Sequence, residues 1–201
     1  MKRPLSALAA LFLTLVLCLT ALAEAYTHPT AGYGFTIPAG WFAVDGDNAE
    51  SLLTRLSHDA TMSEMIRTQM EQLKNMPIVM LFEKEKVSAR FTNNVNVTVE
   101  DLGMKMDIAE MIAFSEVFDE GMRASVGDFD PILPLTLAEA GELRAAITGG
   151  QFNLDGNDMQ FWVILLTSGT YLYQFTLITL TEDATACLDA ASFMAASFVS
   201  P

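Results

Sequence analysis

Apolar and polar positions alternate through Gly34-Phe35-Thr36-Ile37, so Phe35 and Ile37 share one face of a predicted strand. Pro38 has no N–H for a ladder and ends that strand. Gly40 permits a sharp corner, after which Trp41 and Phe42 carry aromatic mass back to the interior, and Phe42 to Val44 continues as a strand. A short strand over Tyr26 to His28 precedes this unit, and Asp45-Gly46-Asp47 turns out of it. The period then becomes helical. Leu52, Leu53 and Leu56 give a helix over 48–57, capped by Asp47 or Asn48, and His58-Asp59-Ala60 interrupts the pattern. Thr61-Met62-Ser63-Glu64 is a capping box, and Met65, Ile66, Met70 and Leu73 follow in a helix over 62–75.

Ile78 to Glu83 is nearly continuously apolar, as in an interior strand. Lys84-Glu85-Lys86 is polar and exposed, and Val95, Val97 and Val99 alternate with Asn96, Thr98 and Glu100 in a half-buried strand. A stripe of Ile108, Met111, Ile112, Ser115, Phe118, Met122 and Val126 predicts one helix over 107–126, capped by Asp107 and ended by Gly127. Strands follow at Ile132 to Leu137, broken by Pro134, and at Leu143-Ala145-Ile147. Asp155-Gly156-Asn157-Asp158 is a hairpin turn, and Phe161 to Thr167 is apolar on both faces. Ser168-Gly169-Thr170 turns into a last strand from Tyr171 to Thr181. Asp183 starts a closing helix with Cys187, Leu188, Ala191, Met194, Ala195 and Phe198 inward. Tight hairpins imply antiparallel pairing, and strands apolar on both faces need helices on both faces. The expected fold class is α+β, an α/β/α sandwich around a mainly antiparallel sheet.

The N-terminus has a different character. Lys2 and Arg3 precede an apolar run from Leu5 to Leu22, and Ala21-Leu22-Ala23 and Ala23-Glu24-Ala25 both offer small-x-small cleavage sites. This predicts a signal peptide over 1–25 and a single domain over 26–201, secreted or extracytoplasmic. The run is also long enough for an uncleaved anchor, but the small residues at its end favour cleavage. A lipid-modified Cys18 is disfavoured by Leu17, where a small residue is wanted. The mature chain is long enough to bury roughly 70% of its unfolded surface. With Cys18 in the leader, Cys187 is alone, so packing and not disulfides must supply stability.

Charge narrows the partners. The chain carries 25 acidic against 11 basic residues, a net charge of −14. Nucleic acid is repelled and an anionic membrane surface disfavoured; the acidity fits solubility outside the cell and at most a cationic partner or a cation-rich wall.

The segment Gly32-Tyr33-Gly34-Phe35-Thr36-Ile37-Pro38-Ala39-Gly40-Trp41 resembles the opening of PsbP-like domains, an aromatic strand running into a Pro-x-x-Trp corner. Asn94-Val95-Asn96-Val97-Thr98-Val99 is similar to that family's Asn-rich second strand, and Gly169-Thr170-Tyr171-Leu172-Tyr173-Gln174-Phe175 and Ser197-Phe198 continue the likeness. The resemblance spans essentially the whole mature chain. It implies a role by analogy. PsbP itself is an extrinsic subunit on the lumenal side of photosystem II, a nuclear protein of similar fold binds the GTPase Ran, and exported bacterial relatives such as DcrB are mostly uncharacterised. The shared theme is docking onto a larger partner without catalysis.

Candidate chemistry is sparse. Trp41 and Trp162 read as core and not as stacking platforms. His28 and His58 stand far apart without clustered ligands, which argues against zinc. Asp155-Gly156-Asn157-Asp158 lacks the spacing of a calcium loop, and Asp45, Asp47, Asp128 and Asp130 read as solvated, with a capping role for one of Asp45 and Asp47. Met62, Met65, Met104 and Met106 lack the His or Cys neighbours of a copper site; methionine reads as adaptable core or contact surface instead, and the methionine-rich 62–76 helix is the place for a partner groove. Cys187 lies inward with no histidine near in sequence, and Asn96-Val97-Thr98 is a glycosylation sequon within a strand. No catalytic residue, metal ligand or cofactor-binding residue is singled out, no cofactor is implied, and the binding surface is unassigned. The expected function is an exported non-enzymatic domain that docks onto a protein or cell-envelope partner. The alternative is a small-ligand or cation carrier using a cleft beside the helix break at 57–61.

Overall fold

The computed structural model describes residues 23–46, 77–84, 93–126, 129–154 and 156–201. The expected helices over 48–57 and 62–75, and the leader up to Leu22, lie outside the described residues.

Among the described residues there are two sheets. Strands β1 (Glu24–Thr27) and β2 (Gly34–Ile37) form an antiparallel pair. The second sheet has seven strands: β3 (Trp41–Val44), β4 (Val79–Glu83), β5 (Asn94–Asp101), β6 (Asp130–Ala140), β7 (Leu143–Leu154), β8 (Asn157–Ser168) and β9 (Tyr171–Leu180). Their spatial order is β3-β4-β5-β9-β8-β7-β6, and every pairing is antiparallel. After β5 the chain runs to the far edge. It then returns as a meander, so that β9 closes against β5 through eight aligned pairs from Asn94↔Ile178 to Asp101↔Tyr171.

Helices cover both faces. Between β5 and β6 lie α1 (Ile108–Met111), a 3-10 turn (Ile112–Phe114) and α2 (Ser115–Val126). The single helix expected over 107–126 is therefore interrupted at its second turn, while Asp107 caps it as expected. Its carboxylate accepts the Ala109 N–H at 2.9 Å, and Glu110 accepts the Asp107 N–H at 3.2 Å, a complete capping box. Helix α3 (Ala184–Ala196) covers the other face. Asp183 stands at its N-cap without a side-chain cap bond.

Each face has its own core, as the period-2 alternation requires. Phe161, Val163 and Leu165 of β8 point to Ile108, Phe129, Leu135 and Ala146. Ile164 and Leu166 point the opposite way, to Val95, Val97, Phe175, Leu177 and the α3 residues Cys187, Ala191 and Met194. The β1–β2 pair joins this second core through Tyr33, Phe35 and Ile37. Trp41 belongs to it at 7% exposure, beyond a corner where Gly40 has φ +86°.

Pro134 does not break β6. The strand runs eleven residues, and the register shifts at Pro131/Leu133 and Leu133/Thr136 instead. Proline is tolerated because β6 is an edge strand with one side unpaired, where a missing N–H costs no ladder bond and discourages edge-to-edge association.

Candidate functional site

The two histidines are not brought together. His58 lies outside the described residues, and His28 is buried at 4% exposure. The His28 Nδ1 accepts the Ala31 N–H at 3.1 Å and the Thr30 N–H at 3.3 Å, so the imidazole holds the β1–β2 turn. Asp45 reads from the sequence as solvated or capping. It is buried instead, because the β1–β2 pair lays Tyr26 over it and the Tyr26 hydroxyl donates to its Oδ2 at 2.8 Å. Nearby, burial pushes the Tyr33 phenol far above its ordinary range, and the Asp45 charge and Tyr173 push the same way. Tyr33 is fully buried, and its hydroxyl donates to the carbonyls of Pro77 and Val97, at 3.4 and 3.5 Å.

The remaining candidates are structural. Trp162 packs on the core yet stays half-buried, with its Nε1–H donating to Gln160 Oε1 at 3.0 Å. Its ring lies over Gly149, its cross-strand partner, where a Cβ would overlap the indole. Cys187 is buried on the inner face of α3. Asp130 and Asp158 are exposed and accept from Gln151 and Asn153; Asp47, Asp128 and Asp155 lie outside the described residues. Met104 is exposed and Met106 half-buried, while Met62 and Met65 lie outside the described residues, as does the 57–61 cleft of the carrier reading. Among the described residues no three His, Cys, Asp or Glu side chains gather as a metal site.

Sequence reasoning missed Asn93. It is 2% exposed, and its Nδ2 donates to Glu83 Oε2 at 2.9 Å and to Asp183 Oδ2 at 3.0 Å. Its Oδ1 accepts from Thr179 Oγ1 at 3.0 Å and from the Leu180 N–H at 3.3 Å. This explains why Asp183 does not cap α3: its carboxylate is turned to the amide. No local pattern marks Asn93, because its partners lie up to 90 residues away.

What the chain does build is a cleft of about 600 Å³ at the end of the sheet opposite Asn93. Four separate segments form it. The start of α1 brings Asp107 and Ile108, the β6–β7 turn Glu142, Leu143 and Arg144, the end of β8 Leu166 to Ser168, and the C-terminal segment Phe198 to Ser200. Two close approaches set its shape. At Gly141, φ is +61° and a Cβ would stand 2.7 Å from the Ala196 carbonyl, so the hairpin turn lies directly on the end of α3. Val199 and Gly34 exchange backbone N–H···O bonds of 2.8 and 2.9 Å, which anchors the C-terminal segment to β2. The Thr36 N–H donates to Ser197 Oγ at 2.8 Å.

The floor is apolar. Ile108 and Leu166 are each 2% exposed, and Phe198 packs with its ring 4.5 Å from Tyr173. Around the mouth Leu143 and Val199 are exposed, and Tyr171 is exposed beside the β8–β9 turn. Arg144 Nη1 lies 3.5 Å from both Asp107 carboxylate oxygens, a loose surface contact. In the neighbouring turn the Gly103 N–H donates to Asp101 Oδ1 at 2.9 Å and, with the Thr170 side chain, holds that carboxyl below its ordinary range. The site combines apolar depth with a charged rim. Among the described residues, the hydroxyls of Thr167, Ser168 and Ser200 in its lining make no side-chain hydrogen bond to Asp107 or Glu142.

No protein-family model matches the chain, and no curated protein matches it in sequence. Its fold is nevertheless shared. LpqN of Mycobacterium tuberculosis, described as involved in cell envelope biogenesis, superposes with a TM-score of 0.55 at 12% identity, over 89% of this chain and 91% of LpqN. Cyanobacterial PsbP from Synechocystis superposes at 0.54 with 15% identity, over 90% of this chain and 94% of that protein. The antiparallel sheet, the helices on its two faces and these superpositions together give the chain a PsbP-like α+β fold.

Proposed function

We propose that this chain is an exported, non-enzymatic domain that docks onto a partner in the cell envelope through the cleft between the β6–β7 turn and the C-terminal segment. The observation that carries the reading is the pairing of an apolar floor, Ile108, Leu166 and Phe198, with exposed apolar residues at the mouth, Leu143 and Val199. Such a site takes up an apolar side chain and offers contact area around it. Export rests on the apolar N-terminal run and its small-x-small sites. The envelope setting is supported by analogy with LpqN.

Photo-crosslinking in cells that express the full chain tests it. A photoreactive residue replaces Leu143 at the cleft, or Leu154 at the opposite end of β7, which is also exposed. A discrete protein adduct from the Leu143 position and none from Leu154 is expected. Equal labelling from both positions, or none from either, removes the reading.

A further inference from the structure

We propose that the occupant of this cleft is a basic peptide segment of the partner, with a large apolar side chain seated on the floor and lysine or arginine residues beside it. The inference rests on the docking reading above and adds the chemistry of what docks.

Charge complementarity carries it. Five exposed carboxylates stand at this end of the sheet: Asp101, Asp107, Glu110, Glu139 and Glu142. Their placement is built. Asp107 and Glu142 line the cleft, Glu110 bonds to the backbone of Asp107, Glu139 is the cross-strand partner of Arg144, and Asp101 pairs with Tyr171. Only Lys105 and Arg144 oppose them among the described residues of these turns, and Arg144 is matched by Asp107. Glu139 and Glu142 form no ion pair among the described residues. The whole chain, these carboxylates included, carries a net charge of −14, so the long-range field also draws a cation and repels an anion. An apolar anion drawn to Arg144 would have to displace Asp107 and then sit among the remaining acids.

Size fits the assignment. A cleft of about 600 Å³ exceeds one side chain and suits a short stretch of extended peptide. Successive side chains of an extended segment point to opposite sides. One apolar residue can therefore face Leu166 and Phe198 while its neighbours reach the rim at Glu139 and Glu142.

Fluorescence anisotropy with protein purified from cells expressing the full chain tests the proposal. Three labelled peptides of equal length are compared: lysine with leucine, glutamate with leucine, and lysine with serine. The lysine–leucine peptide is expected to bind about tenfold more tightly than either of the others, the worth of one buried leucine or a few rim charges. Its affinity falls as salt rises. The double variant Glu139→Lys/Glu142→Lys is expected to weaken it about fivefold or more. The neutral pair Glu139→Gln/Glu142→Gln serves if charge reversal disturbs folding, with circular dichroism as the check. Equal or tighter binding of the glutamate peptide, no binding of the lysine–leucine peptide, or insensitivity to both double variants overturns the inference. Crosslinking at Leu143 that persists in that case leaves the docking reading standing and assigns the partner a different chemistry.

Discussion

At the scale of single residues, the structure depends on positions where one atom more or less changes the packing. Gly149 lies under the Trp162 indole, so Gly149→Ala drives a methyl group into the ring. The expected cost is about 1–3 kcal/mol, read as a lower urea midpoint with an unchanged slope. Tyr33 bears on pH. Its phenol ionises near pH 10 when the chain is unfolded and only at higher pH when folded. The stability from burying it neutral is complete below about pH 10 and is lost as pH rises toward the folded value. Wild-type stability is therefore expected to fall steeply above about pH 10, and Tyr33→Phe to flatten that fall. Parallel alkaline curves for the two proteins would contradict this. Trp41 was legible in sequence as a buried anchor because an aromatic after a proline–glycine corner has one economical destination. Asp45 was not, since the hydroxyl it accepts is 19 residues away.

At the scale of elements, local signals located starts and turns well. The Asp107 cap, the Gly156 and Gly169 hairpin turns and the Gly40 corner all stand where residue chemistry demanded them. Asp107→Ala removes the cap of α1 and the partner of Arg144. The loss is expected to be about 1 kcal/mol, nearly all from the cap, because the ion pair is more than half exposed on both sides. Asp107→Ser should recover most of it in chemical denaturation, and equal losses in both variants would point to the ion pair instead. Local signals erred where long-range packing intervened. The 107–126 helix carries a 3-10 turn at Ile112–Phe114 that its apolar stripe did not foretell. The bulges of β6 follow from its edge position, which no residue of β6 encodes alone.

At the scale of the whole molecule, two cores on opposite sides of one sheet carry the stability, and the Asn93 amide ties β4, β9 and the start of α3 together. Asn93→Leu leaves the carboxylates of Glu83 and Asp183 without their shared donor, and a loss of about 2–3 kcal/mol is expected in thermal or urea unfolding. The excess of acids works against compaction. Raising salt from very low to physiological levels is expected to raise Tm by about 2–4 °C, the shift that corresponds to about 1 kcal/mol. A Tm that drops with salt would mean that the carboxylates are held by attractive networks and do not repel.

The order of strands and helices, the two-faced character of β8 and the acidity of the chain were decided by sequence, because period and charge are properties of neighbours along a chain. The cleft was not. Its walls come from the start of α1, the β6–β7 turn, the end of β8 and the C-terminal segment, and each is an ordinary turn or terminus when read alone. Only the return of the meander to β5, which sets the β6–β7 turn against the end of α3, brings apolar floor and carboxylate rim into one place. That placement depends on contacts between residues far apart in the chain, and tertiary structure alone supplies them.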